Sequence, residues 1–282
     1  MKKSLIRPPA VAGRFYPLDA QELVRQVGVY TQPPAGAGKV PVRGCVVPHA
    51  GYMYSGHVAG AVYASMEIPE RVILLGPRHY PMGEPMAILT EGSWHTPLGD
   101  APIDSALARE VAHACPRLRE DAVAHEREHS LEVQLPFLQR LAGDFRFVPV
   151  VLATDRYPVM EELGRAVAQV VTAHAARAGG GDDDARVLVV ASSDMNHYES
   201  DAITREKDRR AIDRILALDP RGLFDTVRNE QISMCGYAAT VAMIIAMREL
   251  GASEAQLVRY ATSGDITGER DEVVGYAGIV VP

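Results

Sequence analysis

Short runs of Val, Ile and Leu with almost no polar alternation recur at residues 44–47, 71–75, 146–152, 186–191, 257–261 and 275–281. Runs of this kind describe strands covered on both faces. Between them, apolar positions return at helical spacing over 19–30, 55–66, 105–114, 130–141, 159–176, 204–216 and 237–250. Asp104 stands where it caps the third of these helices. Asp219-Pro220 reads as an N-cap followed by Pro at the first position of a further short helix. The alternation of strand and helix predicts an α/β fold with a largely parallel central sheet and helices on both faces.

No internal repeat breaks this pattern, so residues 1–282 are expected to form a single domain. Its interruptions are a Pro/Gly-rich linker at 33–38 and an exposed loop at 179–184, Gly-Gly-Gly-Asp-Asp-Asp. The chain has 282 residues, 47% hydrophobic and 23% charged, and needs no staple to bury a core. Cys45, Cys115 and Cys235 are too few and too scattered for a disulfide framework, which favours a reducing compartment. A net charge of −7 argues against a general nucleic-acid or anionic-membrane binder. Lys2, Lys3 and Arg7 are followed by Pro8 and Pro9 where a signal peptide needs its apolar segment. The longest nearly apolar run, 237–247, is far short of the roughly 20 residues of a membrane helix. The expectation is a soluble, cytoplasmic protein with neither membrane nor nucleic acid as partner.

Candidate chemistry gathers where strands stop. The first strand runs into Pro48-His49-Ala-Gly-Tyr52, the second into Gly76-Pro-Arg-His79, and the fourth into Ser192-Ser-Asp194-Met-Asn-His197. In open α/β sheets, ligands sit beyond the carboxyl ends of the strands. If these strands are parallel neighbours, His49, His79, Asp194 and His197 share one edge. A lone histidine after a strand is ordinarily a structural hydrogen-bonding residue; three on three strands point to a shared site. Imidazole suits zinc, iron and copper, and two histidines with one anionic ligand leave positions open. Cys235 is the candidate third ligand: just before the 237–250 helix, its thiol is expected to be acidified by the helix N-terminus. The alternative for Cys235 is a buried, inert cysteine, as expected of Cys45 and Cys115.

A competing motif is His125-Glu126-Arg127-Glu128-His129, which matches the H-E-x-x-H zinc-protease spacing. That motif needs one continuous helix. Here the amphipathic pattern starts only at Ser130, and Pro136 follows closely. Glu128, His129 and Glu132 are better read as capping that helix or supporting the pocket. His57 reads as a solvent-facing or capping residue, His113 and His174 as helix-surface residues, and His95 either as lining a pocket or as a loop anchor beside Trp94. Thr262-Ser-Gly-Asp265 reads either as a further rim loop or as a plain turn.

The pieces Val11-Ala-Gly-Arg-Phe-Tyr-Pro17, Val47-Pro-His-Ala-Gly-Tyr52, Leu75-Gly-Pro-Arg-His79 and Thr96-Pro-Leu-Gly99 occur in that order. Glu128-His-Ser-Leu-Glu-Val-Gln-Leu-Pro-Phe137, Ser192-Ser-Asp-Met-Asn-His197, Cys235-Gly-Tyr237 and Thr262-Ser-Gly-Asp265 follow. As a set spanning nearly the whole chain they resemble the Memo family, called AmmeMemoRadiSam system protein B in prokaryotes. That resemblance implies a fold like class III extradiol ring-cleaving dioxygenases, which use non-haem Fe(II). It implies His49, His79 and Cys235 as metal ligands and His197 as proton-transfer residue, with Asp194 beside it to orient the imidazole. Fe(II) is the implied metal, with copper or zinc as alternatives, because a thiolate replaces the dioxygenases' carboxylate and is the softer donor. The implied function is a metal-dependent, dioxygenase-like oxidoreductase acting on a small molecule or peptide alongside a radical-SAM partner. A non-catalytic binding adaptor with a remnant pocket is the alternative, and a zinc protease the remote one.

Overall fold

The computed structural model describes residues 5–32, 38–177 and 186–282. The expected loop at 179–184, and the linker at 33–38 apart from Gly38, lie outside the described residues. The strands that build the sheet are β1 (Gly44–Val47), β2 (Arg71–Pro77), β3 (Met86–Ile88), β4 (Arg146–Leu152), β5 (Val187–Ser192), β6 (Gln256–Thr262) and β7 (Val273–Val281). With two short edge strands, His197–Glu199 and Arg119–Glu120, they form a nine-stranded mixed sheet. Its spatial order from His197–Glu199 is β7, β1, β5, β2, β4, β3 and Arg119–Glu120, with β6 also pairing β7. The middle of the sheet, β1-β5-β2-β4, is parallel. Its flanks, β7 on β1 and β3 on β4, run antiparallel. The four central strands carry the unbroken apolar runs, as strands covered on both sides must.

The main helices are α1 (Ala20–Tyr30), α2 (Tyr52–Ala64), α3 (Ser105–Ala114), α4 (Leu135–Leu141), α5 (Tyr157–Arg177), α6 (Asp201–Leu216), α7 (Pro220–Asn229) and α8 (Tyr237–Glu249). Asp104 caps α3 by accepting from the Leu107 N–H, and Asp219 caps α7 ahead of Pro220, both as the sequence predicts. Two glycines show that α2 and α8 cover opposite faces. A Cβ on Gly44 would strike Met243 and Met247 of α8, and one on Gly278 would strike Val58 and Val62 of α2. Gly44 is paired with Val281, three residues along β7 from Gly278, so the two glycines face opposite ways. No helix among the described residues is long and apolar enough to cross a membrane.

One expected helix is split. Residues 130–141 do not form a single helix; a 3-10 turn at Glu132–Gln134 leads into α4, with Pro136 in its first turn. Proline is accepted there because its missing N–H has no helical partner in any case. The turn also lets Glu132 and Gln134, both fully buried, point into polar surroundings instead of solvent. A small second sheet, Ile6–Arg7 with Ser93–Thr96 and Gly99–Pro102, ties the N-terminal segment down.

Candidate metal centre

Because β5 lies between β1 and β2 and is parallel to both, their carboxyl ends emerge side by side. His49 follows β1, His79 follows β2, and Asp194 and His197 follow β5. Cys235 reaches the same point from the turn before α8. Gly236 makes that approach possible: a Cβ there would lie 2.3 Å from the Ser192 carbonyl oxygen. One ligand atom each from His49, His79 and Cys235 lies within 4.8 Å of the others, and Asp194, His197 and Cys235 form an overlapping group. The Cys235 sulfur is 3.3 Å from His49 Nε2. A sulfur and an imidazole nitrogen on one tetrahedral ion would be about 3.5 Å apart. The donor set and its spacing therefore fit a transition-metal ion.

Hydrogen bonds on the far side of each ring fix which nitrogen is free. His79 Nδ1 is 2.8 Å from Glu128 Oε1. Burial tends to raise the Glu128 pKa. The hydrogen bond and charge of His79, the charge of His129 and the Ser130 N–H outweigh it, and the carboxyl falls to about 2. An ionised carboxylate only accepts, so His79 carries its proton on Nδ1. His49 Nδ1 is 2.9 Å from Ser192 Oγ. That hydroxyl already donates to the Ser130 carbonyl at 2.7 Å, so it accepts from His49. His197 Nδ1 faces the Ser233 carbonyl at 2.9 Å, again an acceptor only. All three imidazoles thus hold their proton outward and leave Nε2 as a lone pair, the arrangement that orients metal-binding histidines.

The electrostatics favour a neutral His49 ring. Burial, followed by the proximity of His79, His129 and His197, holds His49 well below its usual range. Burial raises Asp194, partly offset by His197 and by the His49 and Ala50 N–H groups that bond its Oδ1. Cys235 corrects an expectation: its thiol is raised, not acidified. Burial and the Asp194 charge outweigh the N–H of Asp194, which bonds the sulfur at 3.3 Å. Asp194 is also not the group that orients His197; its bonded oxygen is committed to β1's turn, and Ser233 holds the ring instead.

The H-E-x-x-H spacing is not realised as a metal-binding helix. Val123–Glu126 is a single turn, and His125 and His129 part company beyond it. The His125 ring is fully buried against Trp94 at 5.7 Å, with both nitrogens unpartnered. His129 instead stacks on His79, with ring centroids 4.5 Å apart, and is packed by Phe15 at 4.7 Å. No group of possible ligands among the described residues includes His125. His95 pairs with Asp100 on an exposed hairpin, away from the cluster. Thr262-Ser-Gly-Asp265 opens a short helical turn, Gly264–Thr267, in which Asp265 binds Arg205.

Sequence reading named Glu128, His129 and Glu132 as possible supports but missed the residues under His49 and the partners of Glu132. Ser192, Ser130 and Gln134 form a buried hydrogen-bonded group under His49. Glu132 fixes the N-terminal segment that carries Phe15, accepting from Arg7, the Ala10 and Val11 N–H groups and the Tyr16 hydroxyl. The available signal was the density of polar residues inside an otherwise apolar stretch at 128–138.

A family model described as "Memo-like protein" matches residues 7–280. Similar chains include a MEMO1 family protein of Methanopyrus kandleri, 42% identical over 97% of this chain and 98% of the relative. One from Methanothermobacter thermautotrophicus is 41% identical over 97% of this chain and 99% of its own length. One from Ignicoccus hospitalis is 42% identical over 99% of both.

Proposed function

This chain belongs to the Memo-like protein family, and on that footing we propose that it is a metal-dependent oxidoreductase whose ion is held by His49, His79 and Cys235. The observation that carries this reading is the shared orientation of the imidazoles: two free Nε2 atoms and one sulfur meet within 4.8 Å, each ring locked from behind. Fe(II) is the metal proposed, with copper or zinc as the alternatives the thiolate admits. When bound, such an ion supplies Lewis acidity, redox capacity and open positions for a chelating small molecule or peptide.

The chain's own residues do the rest. His49 and His79 bind as neutral ligands, and Glu128 holds the His79 ring and raises its donor strength. His197 presents a free nitrogen on the Asp194–Cys235 side of the cluster, where it accepts a proton from a bound substrate and returns it later. His129 and Phe15 wall the side over His79 and limit access of water.

The test is metal analysis of protein purified without oxygen. The parent chain should hold one equivalent of metal, and His49→Ala/His79→Ala should hold none; full occupancy in the double variant would refute the site. Uptake of dioxygen by the iron-loaded protein, lost in His197→Gln, tests the oxidoreductase reading. Co-purification with a radical-SAM protein tests the partnership that family resemblance implies.

A further inference from the structure

The loop that delivers Cys235 also holds His197. Ser233, two residues before the cysteine, touches His197 three times: its hydroxyl accepts the His197 N–H at 2.8 Å and lies 3.3 Å from the His197 carbonyl oxygen, and its own carbonyl accepts from Nδ1 at 2.9 Å. The hydroxyl is free to accept because its own proton goes to Asn196 Oδ1 at 3.0 Å. Asn196 Oδ1 also accepts the Ser233 N–H at 3.1 Å. The orientation of that amide is set by its other end, where Nδ2 donates to Glu199 Oε2 at 2.7 Å and to Thr204 at 3.2 Å. The Asn196 backbone is pinned in turn, its N–H to the buried Asp208 carboxyl at 2.8 Å. Asn196 is fully buried, so each of these bonds replaces one that water would otherwise make. Farther along the loop, Gly236 N–H donates to Ser193 Oγ at 2.9 Å and Asp194 N–H to the Cys235 sulfur. Residues 233–236 are thereby clasped along the segment 193–197. Tyr198, immediately after it, sits at φ 61, a conformation a tyrosine adopts only when its surroundings impose it.

We propose that Ser233, oriented by Asn196, is the positioning residue of this site: it fixes His197 as the Nδ1–H tautomer and leaves Nε2 facing the Cys235–Asp194 side. The same loop thus sets the third metal ligand and the proton acceptor together. Ser233 touches no reacting atom itself; it acts through the ring it holds. The role given to His197 rests on the metal-centre reading, but the tautomer is a property of the chain and is measured without metal.

The experiment is ring-nitrogen NMR of the full-length, metal-free protein labelled with 15N-histidine, with the His197 signals assigned by their loss in His197→Gln. The parent should show a protonated Nδ1 and a bare Nε2. Ser233→Thr, which keeps the hydroxyl, should retain that pattern. Ser233→Ala keeps the carbonyl that faces Nδ1 but loses the hydroxyl that places it against His197 and Asn196, so it and Asn196→Ala should populate both tautomers. Parent protein with its proton on Nε2 would overturn the proposal with no variant needed. So would an unchanged Nδ1–H pattern in folded Ser233→Ala. Failure of the chain to bind metal would count against the metal-centre reading alone.

Discussion

Replacing Glu132 by Gln tests how the N-terminal segment is held beside the site. Glu132 is fully buried and Arg7 is 6% exposed, with 2.7 Å between Oε2 and the guanidinium. Four donors converge on the carboxylate: Arg7 and the Ala10 N–H on Oε2, the Val11 N–H and the Tyr16 hydroxyl on Oε1. Glutamine supplies one oxygen and one NH2. Placed toward Arg7, the NH2 meets a cation that only donates. Placed toward Val11, it leaves that N–H orphaned, although the Tyr16 hydroxyl can turn and accept. An orphaned buried donor costs roughly 1–3 kcal/mol, and a buried ion stripped of its partner about 3–5 kcal/mol. These overlap, so the expected loss is about 3–5 kcal/mol, a large share of the ~5–15 kcal/mol a typical protein has. Urea and thermal unfolding measure it. The Arg7→Met, Glu132→Gln and double-variant cycle should show a coupling of at least ~2 kcal/mol, well above the ~0.5 kcal/mol scatter of independent sites. Additive effects, or a single variant within about 1 kcal/mol of the parent, would refute the buried-pair argument. Faster tryptic cleavage at the exposed Arg14 should accompany the loss, because the segment it sits on is released.

Three further outcomes follow from the same geometry. Burial lowers His125 to about 3, whereas the unfolded chain titrates near 6.5. The unfolded state therefore binds more protons between those values, and stability falls as pH drops below about 6.5. Between pH 7 and pH 5 the parent should lose about 2 kcal/mol more than His125→Leu, measured by urea unfolding at both pH values; equal losses would remove His125 from the account. Glu128→Gln should weaken metal binding by about 10–100-fold, read by chelator competition, because the Nδ1 proton of His79 loses its ionised acceptor. Gly236→Ala should abolish stoichiometric metal binding while the chain stays folded, since its new Cβ would meet the Ser192 carbonyl at 2.3 Å and push the Cys235 turn off β5; undiminished metal content would show that the close approach is dispensable.

What the sequence made legible follows from burial. The central strands are covered on both faces, so their apolar runs announce them, and the polar residue that ends each run marks the edge where the chain leaves the core. That is why the sequence puts His49, His79, Asp194 and His197 at one edge once their strands are parallel neighbours, as they are. The short strands at Met86–Ile88, Ser93–Thr96, Gly99–Pro102 and His197–Glu199 carry no such signal, being too brief or too mixed. The helix read over 130–141 failed because Glu132 and Gln134 both point inward, on the 3-10 turn that precedes the helix. Pattern reading assigns a polar side chain to water by default, and only tertiary contacts reveal the exceptions.

The same blindness explains the two errors at the site itself. Cys235 was expected to be acidified by the helix behind it, yet the helix N-terminus acts on a thiol already removed from water and faced by the Asp194 carboxyl, and desolvation is the larger effect. Asp194 was expected to orient His197 because acidic residues commonly support imidazoles. Its bonded oxygen instead closes the turn after β1, through the N–H groups of His49 and Ala50. The tautomer of each ring at this edge is set by a different acceptor: a serine hydroxyl for His49, a carboxylate for His79, a backbone carbonyl for His197. None of these needs a metal to be in place. The lone pairs are aimed by the protein alone, so the cost of arranging these candidate ligands falls on folding.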